Sequence, residues 1–191
     1  MILRAIKGVL CALFLFWLLP GLSWAAEFSA DMKISSKSAG ADITGKVFVK
    51  GTALRQEMNT PVGVQTTIIP AGGGVMYILL PGQKMYMEMA NTQVVLDEKE
   101  NIETKLSKEG KFTKKGTETI EGHLCDVYFI DYTDPELGES TIWLSRDLNY
   151  PLKIHTVNPK DSATITYKNV SRKSLSGSLF TLPSGYKKFS L

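Results

Sequence analysis

The chain has 191 residues, of which 43% are hydrophobic, and its 22 basic and 19 acidic side chains leave a formal net charge of +3. This near balance gives no electrostatic reason to expect nucleic acid or an anionic membrane surface as the main partner. The length is that of one domain with a substantial core.

The first 25 residues have the order of a secretory signal peptide. Arg4 and Lys7 form a short basic start, and an apolar run follows from residue 9 to residue 19. Ser23-Trp24-Ala25 puts small residues at the two positions that a signal peptidase reads. We expect cleavage after Ala25 or Ala26 and a periplasmic mature protein. An uncleaved membrane anchor is the alternative, but the apolar run is shorter than the roughly 20 residues that a span needs.

Residues 26–191 then form one predicted domain, because no repeat, low-complexity stretch or linker interrupts them. Cys11 lies inside the apolar run and not at its end, which argues against lipid attachment. Removal of the signal peptide (residues 1–25) leaves Cys125 as the one cysteine, so an intrachain disulfide is excluded.

The mature chain is predicted to be mainly β. From Phe28 to Ser35, apolar and polar residues alternate, which is the signature of a half-buried strand. Turns rich in Gly and Pro then separate short alternating segments, which favours an antiparallel meander. The predicted strands cover residues 28–35, 44–50, 54–58, 62–69, 75–80, 84–89, 124–132, 140–145, 152–157 and 163–170, and an irregular tail follows at 179–183.

One segment departs from this pattern. Residues 97–109 are charged, with Ile102 and Leu106 at helical spacing and Gly110 as a natural stop. We therefore predict a helix with a narrow apolar stripe. The Lys-rich residues 111–115 are interpreted as a solvated loop or as charge on a strand edge.

No catalytic or metal-binding motif is found in the sequence. His123 and Cys125 would point to the same side of a strand, which makes a nucleophile–base pair sterically conceivable, but no orienting acid is identifiable. Cys125, Val127 and Phe129 form an apolar strand face, which favours a buried, unreactive thiol. His, Cys and carboxylate residues lack metal-ligand spacing. We expect a protein that is not an enzyme and needs no cofactor or metal.

Methionine is distributed unevenly along the chain. Apart from Met1, all six methionines lie on the predicted early strands, and Met85, Met87 and Met89 share one strand face. Flexible, polarisable methionine side chains are used on adaptable apolar binding surfaces. This face is a candidate for holding a flexible apolar ligand, with an ordinary packed core as the alternative.

Several motifs lie along nearly all of the mature chain. They are GKVFVK at 45–50, LR at 54–55, TII at 67–69, VMYILLP at 75–81, GHLCDVY at 122–128, IWLS at 142–145, YPLK at 150–153 and LFTLPSGY at 179–186. The first four resemble the lipoprotein-carrier (LolA/LolB-like) superfamily. The others are similar to an uncharacterised bacterial family with the same fold.

The resemblance implies a mainly β (α+β) fold, namely a curved antiparallel incomplete β-barrel with one or two helices across its concave face. It also implies a cavity, because members of the superfamily hold acyl chains or other lipids there. Two features depart from the carrier: no helix precedes the first strand, and Gly51-Thr52 replaces an Arg-Pro pair whose arginine has a role in lipoprotein transfer. Lipoprotein transfer itself is therefore not predicted.

The expected function is non-covalent binding or carriage of an apolar ligand between the half-barrel and its helix. That ligand would be a lipid, an acyl chain or the lipid moiety of a lipoprotein. The alternative is a protein-interaction or sensor domain that uses a sheet edge or the concave face. We expect a monomer whose partners are an apolar small molecule or a lipoprotein or envelope protein, and not nucleic acid. The residues expected to line the cavity are Met32, Ile34, Val47, Val49, Leu54, Met58, Met76, Met85, Met87, Met89, Ile102 and Leu106.

The N-terminus of the mature protein tests the predicted export. Intact mass and N-terminal sequencing of the protein from a periplasmic extract should give a chain that begins at Ala26 or Glu27. Recovery of the chain from membranes with Met1 to Ala25 still attached would contradict export and release.

Overall fold

The computed structural model of the chain describes residues 26–38, 40–61, 63–91 and 102–189, and of residues 102–105 it describes the backbone only. The predicted signal peptide and the first part of the predicted helix, residues 97–101, lie outside the described residues. In the described part of the chain, no helix is both long and apolar enough to cross a membrane.

Twelve β-strands make up most of the described chain, which confirms the mainly β fold class. They form one open sheet in the order β12-β6-β5-β4-β3-β2-β1-β11-β10-β9-β8-β7. Neighbouring strands pair antiparallel from β2 to β6 and from β7 to β11, whereas β12 runs parallel to β6. The strands are β1 (Glu27–Ser36), β2 (Ile43–Lys50), β3 (Ala53–Thr60), β4 (Gly63–Ile69), β5 (Val75–Leu80), β6 (Met85–Ala90), β7 (Gly110–Ile120), β8 (His123–Tyr132), β9 (Glu139–Ser145), β10 (Tyr150–Val157), β11 (Ser162–Ser171) and β12 (Lys187–Lys188).

The predicted meander of six early strands is confirmed, since β1 to β6 are neighbours in sequence order. The predicted helix is confirmed where it is described, as α1 (Ile102–Glu109). Strand β7 was not predicted, because its eleven residues are mostly charged or polar and largely exposed, so they lack the alternation that marks a half-buried strand. The interpretation of residues 111–115 as strand-edge charge agrees with the place of β7 at the end of the sheet.

The Cα positions group the chain into two compact units. Among the described residues, the helix unit comprises residues 34–38, 40–42 and 102–166, and the methionine unit comprises residues 26–33, 43–61, 63–91 and 167–189. The expectation of a single domain stays a prediction.

In the helix unit, α1 packs on the sheet through Leu106, whose side chain is 1% exposed. Its buried neighbours come from β8 and β9 and are Tyr128, Ile130, Tyr132, Ile142 and Leu144. The buried side of β8 is therefore the tyrosine side, and the predicted apolar side is buried only at Cys125, while Val127 and Phe129 are half-buried. Tyrosine rings can occupy a core because most of their surface is apolar, and that of Tyr128 stacks on Phe112 with the ring centres 4.9 Å apart.

In the methionine unit, the C-terminal segment lies against one face of the sheet. Lys50 Nζ donates to the carbonyl oxygen of Leu175 at 2.7 Å, and Arg55 Nη1 donates to that of Leu179 at 3.2 Å. The predicted irregular tail begins as a 3-10 helix, Gly177–Phe180, whose Phe180 is buried. This face, to which Arg55 belongs, is called the tail-covered face below.

Replacement of Leu106 by alanine tests whether α1 is held by core packing. Leu106→Ala should lower the free energy of unfolding by about 2–5 kcal/mol, because it leaves a cavity among the buried rings and aliphatic chains. Leu124→Ala in β8 is the matched control, since Leu124 is 45% exposed and its loss should change the free energy by about 1 kcal/mol or less. If chemical denaturation showed that both variants lose the same free energy of unfolding, this packing role for Leu106 would be contradicted.

Candidate ligand-binding face

The register of the methionine unit brings most of the candidate residues onto one face of the sheet. Residues directly opposite each other in an antiparallel pair project to the same side. One such row crosses five strands and consists of Val47, Gln56, Thr67, Ile78 and Met87. The side to which this row belongs is called the methionine face, and it also carries Val49, Leu54, Met58, Ile69, Met76, Leu80, Met85 and Met89.

Strand β1 adds Met32 to the same face. Lys50 pairs with Glu27 at 2.9 Å, and Lys46 pairs with Asp31 at 3.9 Å, so these four side chains lie together on the opposite side of β1 and β2. Because side chains alternate along a strand, Met32 lies on the side that carries the buried residues of β2.

Burial on the methionine face falls from the early strands toward β6. Val47, Val49, Met32, Met58 and Met76 are buried. The remaining predicted residues of this face are half-buried or exposed: Leu54, Met85 and Met87 are half-buried, and Met89 is 36% exposed. The apolar surface thus continues past the closed part of the core toward β6.

Three predicted residues belong to the helix unit and not to the methionine unit. Leu106 is part of the core of the helix unit, and Ile34 at the end of β1 is also buried. The side chain of Ile102 lies outside what the structure describes. The expectation that these three line a cavity with the methionines stays a prediction.

The methionine face has a polar centre that the alternation of the sequence did not predict. Gln56 is 4% exposed, and no group in the described residues forms a hydrogen bond with its Nε2 atom. Thr67, directly opposite on β4, is also buried. The sequence did contain a signal for this polar centre. Leu54, Gln56 and Met58 are every second residue of one strand, so a glutamine lies between two apolar residues on the same face.

The His123 and Cys125 pair has an acid nearby that the sequence did not identify. The Asp147 carboxylate accepts a hydrogen bond from His123 Nδ1 at 2.9 Å and from the Ser145 hydroxyl at 2.5 Å. Burial acts to raise the pKa of Asp147, but these two hydrogen bonds, the electrostatic interaction with His123 and a backbone hydrogen bond together hold the pKa below its usual range. His123 and Ser145 are thereby tied to the same carboxylate.

Cys125 itself is not an activated nucleophile. It is fully buried, and burial raises the pKa of its thiol to about 11. Its thiol contacts the backbone carbonyl of His123 at 3.5 Å. A nucleophilic cysteine needs a lowered pKa, so this environment favours the predicted structural role. Among the described residues, no group of three His, Cys, Asp or Glu side chains could hold a metal ion.

The fold is similar to the folds of several bacterial proteins of known structure. An uncharacterized conserved protein from Thermus thermophilus is 9% identical, with a TM-score of 0.61 over 86% of this chain and 90% of that chain. A chain of the Pseudomonas aeruginosa MucA/MucB complex is 16% identical, with a TM-score of 0.54 over 83% of this chain and 56% of that chain. The present chain therefore spans little more than half the length of that protein.

A LolA superfamily protein from Nitrosomonas europaea has a lower structural similarity. It is 11% identical, with a TM-score of 0.40 over 89% of this chain and 97% of that chain. The chain belongs to the family described as "Domain of unknown function (DUF4412)", which matches residues 28–150. No curated protein sequence matches the chain.

The reactivity of Cys125 in the mature protein tests this description of its surroundings. At pH 7, a thiol-alkylating reagent should modify the folded protein at least about 100-fold more slowly than the protein in guanidinium chloride, since both burial and the raised pKa suppress the thiolate. Rapid modification of the folded protein would contradict a buried thiol and favour a reactive site beside His123.

Proposed function

We propose that the protein binds an apolar ligand, a lipid or an acyl chain, non-covalently on the methionine face. The observation that carries the proposal is the apolar surface of β5 and β6. On this face, Ile78, Leu80, Met85 and Met87 are only half-buried and Met89 is 36% exposed. Neighbouring apolar side chains that keep part of their surface accessible are a candidate contact surface for an apolar partner.

Burial of an alkyl chain supplies enough free energy for this function. Each methylene removed from water contributes about 0.8 kcal/mol, so an acyl chain laid along the face gains several kcal/mol without any polar contact. Methionine side chains have several rotatable bonds and can adapt to a flexible ligand, which the branched side chains of a closed core do less well.

The proposal extends to the cellular compartment and the oligomeric state of the protein. The order of charge, apolar residues and small residues before Ala26 supports export to the periplasm, where the mature domain, residues 26–191, would act as a monomer. Binding there requires no cofactor and no chemical step. Whether bound lipid is handed to another envelope component is a separate property that this proposal does not include.

A protein-interaction domain is the second candidate, because the eleven-residue strand β7 stands at an end of the sheet. A peptide could add to such an edge by strand pairing, and the similar Pseudomonas aeruginosa chain comes from a complex of MucA with MucB. Two features of β7 disfavour pairing. The strand carries the positive charges of Lys111, Lys114 and Lys115, and its register shifts between Lys114 and Gly116. Edge lysines and bulges are devices by which proteins block strand addition.

Replacement of Met87 by glutamate tests the apolar-ligand proposal. Because Met87 is half-buried, a carboxylate there keeps part of its hydration, and the variant should fold and melt cooperatively. It should nevertheless bind a fluorescent fatty-acid probe at least about tenfold more weakly, since the charge lies in the path of the alkyl chain.

Two other glutamate variants control for burial and position. Met58→Glu places the charge in the closed part of the same face, where the side chain is 2% exposed, and should remove much of a total stability of about 5–15 kcal/mol. Val64→Glu lies on the tail-covered face at a position that is 46% exposed, and should fold and bind the probe like the natural protein. If Met87→Glu binds the probe with the affinity of the natural protein, the ligand does not bind at β6. If Met87→Glu does not fold, the methionines of this face belong to an ordinary packed core.

A further inference from the structure

Gln56 is the one buried side chain with an unpaired polar atom in the described part of the chain. Gln56 lies on β3 in the closed part of the methionine face, directly between Val47 on β2 and Thr67 on β4 in the strand register. Buried amide groups nearly always form hydrogen bonds, because an unmade one leaves the desolvation of the group uncompensated. An apolar side chain of the same length would fill this position without that cost.

The position of Gln56 relates it directly to the proposed ligand surface. Gln56 and Met87 belong to the same cross-strand row, three strands apart, which at about 4.8 Å per strand is roughly 14 Å. One end of this row is buried and polar, and the other end is half-buried and apolar. An elongated ligand that lies across the strands and enters between the side chains of the buried end would meet both ends.

We propose that Gln56 Nε2 donates a hydrogen bond to an oxygen of the bound ligand. The inference rests on the proposed function and specifies the ligand class: an acyl compound whose carboxyl, ester or amide oxygen lies at Gln56 and whose alkyl chain runs toward Met87. The amide nitrogen can only donate, so it recognises an acceptor. A pure hydrocarbon would leave it unpaired, and a site built to form a hydrogen bond discriminates against ligands that cannot form it.

The proposal also predicts how Gln56 affects the protein without ligand. Replacement by Met keeps the length of the side chain and removes the donor together with its acceptor oxygen. If no partner within the protein uses the amide, Gln56→Met and Gln56→Leu should have melting temperatures equal to or above that of the natural protein. A residue kept for packing would instead lower the melting temperature when replaced.

Binding of two matched probes tests the specificity. Methyl laurate and pentadecane have the same number of non-hydrogen atoms, and only the ester offers an acceptor. Each would be delivered from the same cyclodextrin and measured by displacement of a fluorescent apolar dye. The ratio of ester affinity to alkane affinity should be about tenfold higher in the natural protein than in Gln56→Met, and the difference should come from weaker ester binding by the variant. Met87→Ala is the matched control at the other end of the row, and it should weaken both probes by the same factor.

The outcomes separate this inference from the function on which it rests. If the natural protein binds neither probe, the proposed apolar-ligand function is wrong. If it binds both and Gln56→Met leaves their ratio unchanged, the function stands and the role of Gln56 is overturned. Loss of the fold in both Gln56→Met and Gln56→Leu would also overturn it, because the amide would then be required by the protein itself.

Discussion

The strand register around the hairpin of β2 and β3 is the constraint on which the methionine face depends. Lys50 pairs with Ala53 across a two-residue loop, and Gly51 has a φ of 59° there. A glycine with positive φ at the first loop position suits a type II′ turn, whose twist matches that of the flanking strands. Because side chains alternate, a slip by one residue would move Gln56 and Met58 to the tail-covered face.

The same register continues without interruption toward β6. Thr60 pairs with Gly63 where β3 and β4 meet, and the described pairings from β2 to β6 contain no bulge. In the helix unit, by contrast, the ladder shifts between Lys114 and Gly116 and again between Pro151 and Lys153. An uninterrupted ladder keeps every second residue of five strands on one side, so the methionines of β3, β5 and β6 form one surface.

Local alternation made β1 to β6 predictable, and with them the shared face of Met85, Met87 and Met89. Signals that depend on distant parts of the chain could not be found in this way. Strand β7 has no alternation because few of its side chains are buried. The contact of His123 with Asp147 joins residues 24 apart, and the lack of a partner for Gln56 becomes visible only when its neighbours on two other strands are known.

The tail-covered face explains how the methionine unit can leave several apolar side chains of its other face only half-buried among the described residues. Ile68 and Leu79 are buried on the tail-covered side, where the segment containing Phe180 also lies. The unit therefore buries apolar surface on both sides of the same strands, and its stability does not depend on closing the methionine face as far as β6. A sheet with one covered face only would need every apolar residue of that face for its core.

Under the proposed function, this division would also set the direction in which the ligand lies. At the closed end of the row, the β-branched Val47 has few side-chain rotamers, and at the open end Met87 has many. The rigid end can hold a polar group at a defined position, whereas the flexible end can accept chains that differ in length or branching. If Gln56 pairs with a ligand oxygen, the protein would select the polar end of its ligand by hydrogen bonding and tolerate variation in the alkyl end. Such a site discriminates between classes of lipid more strongly than between chain lengths within one class.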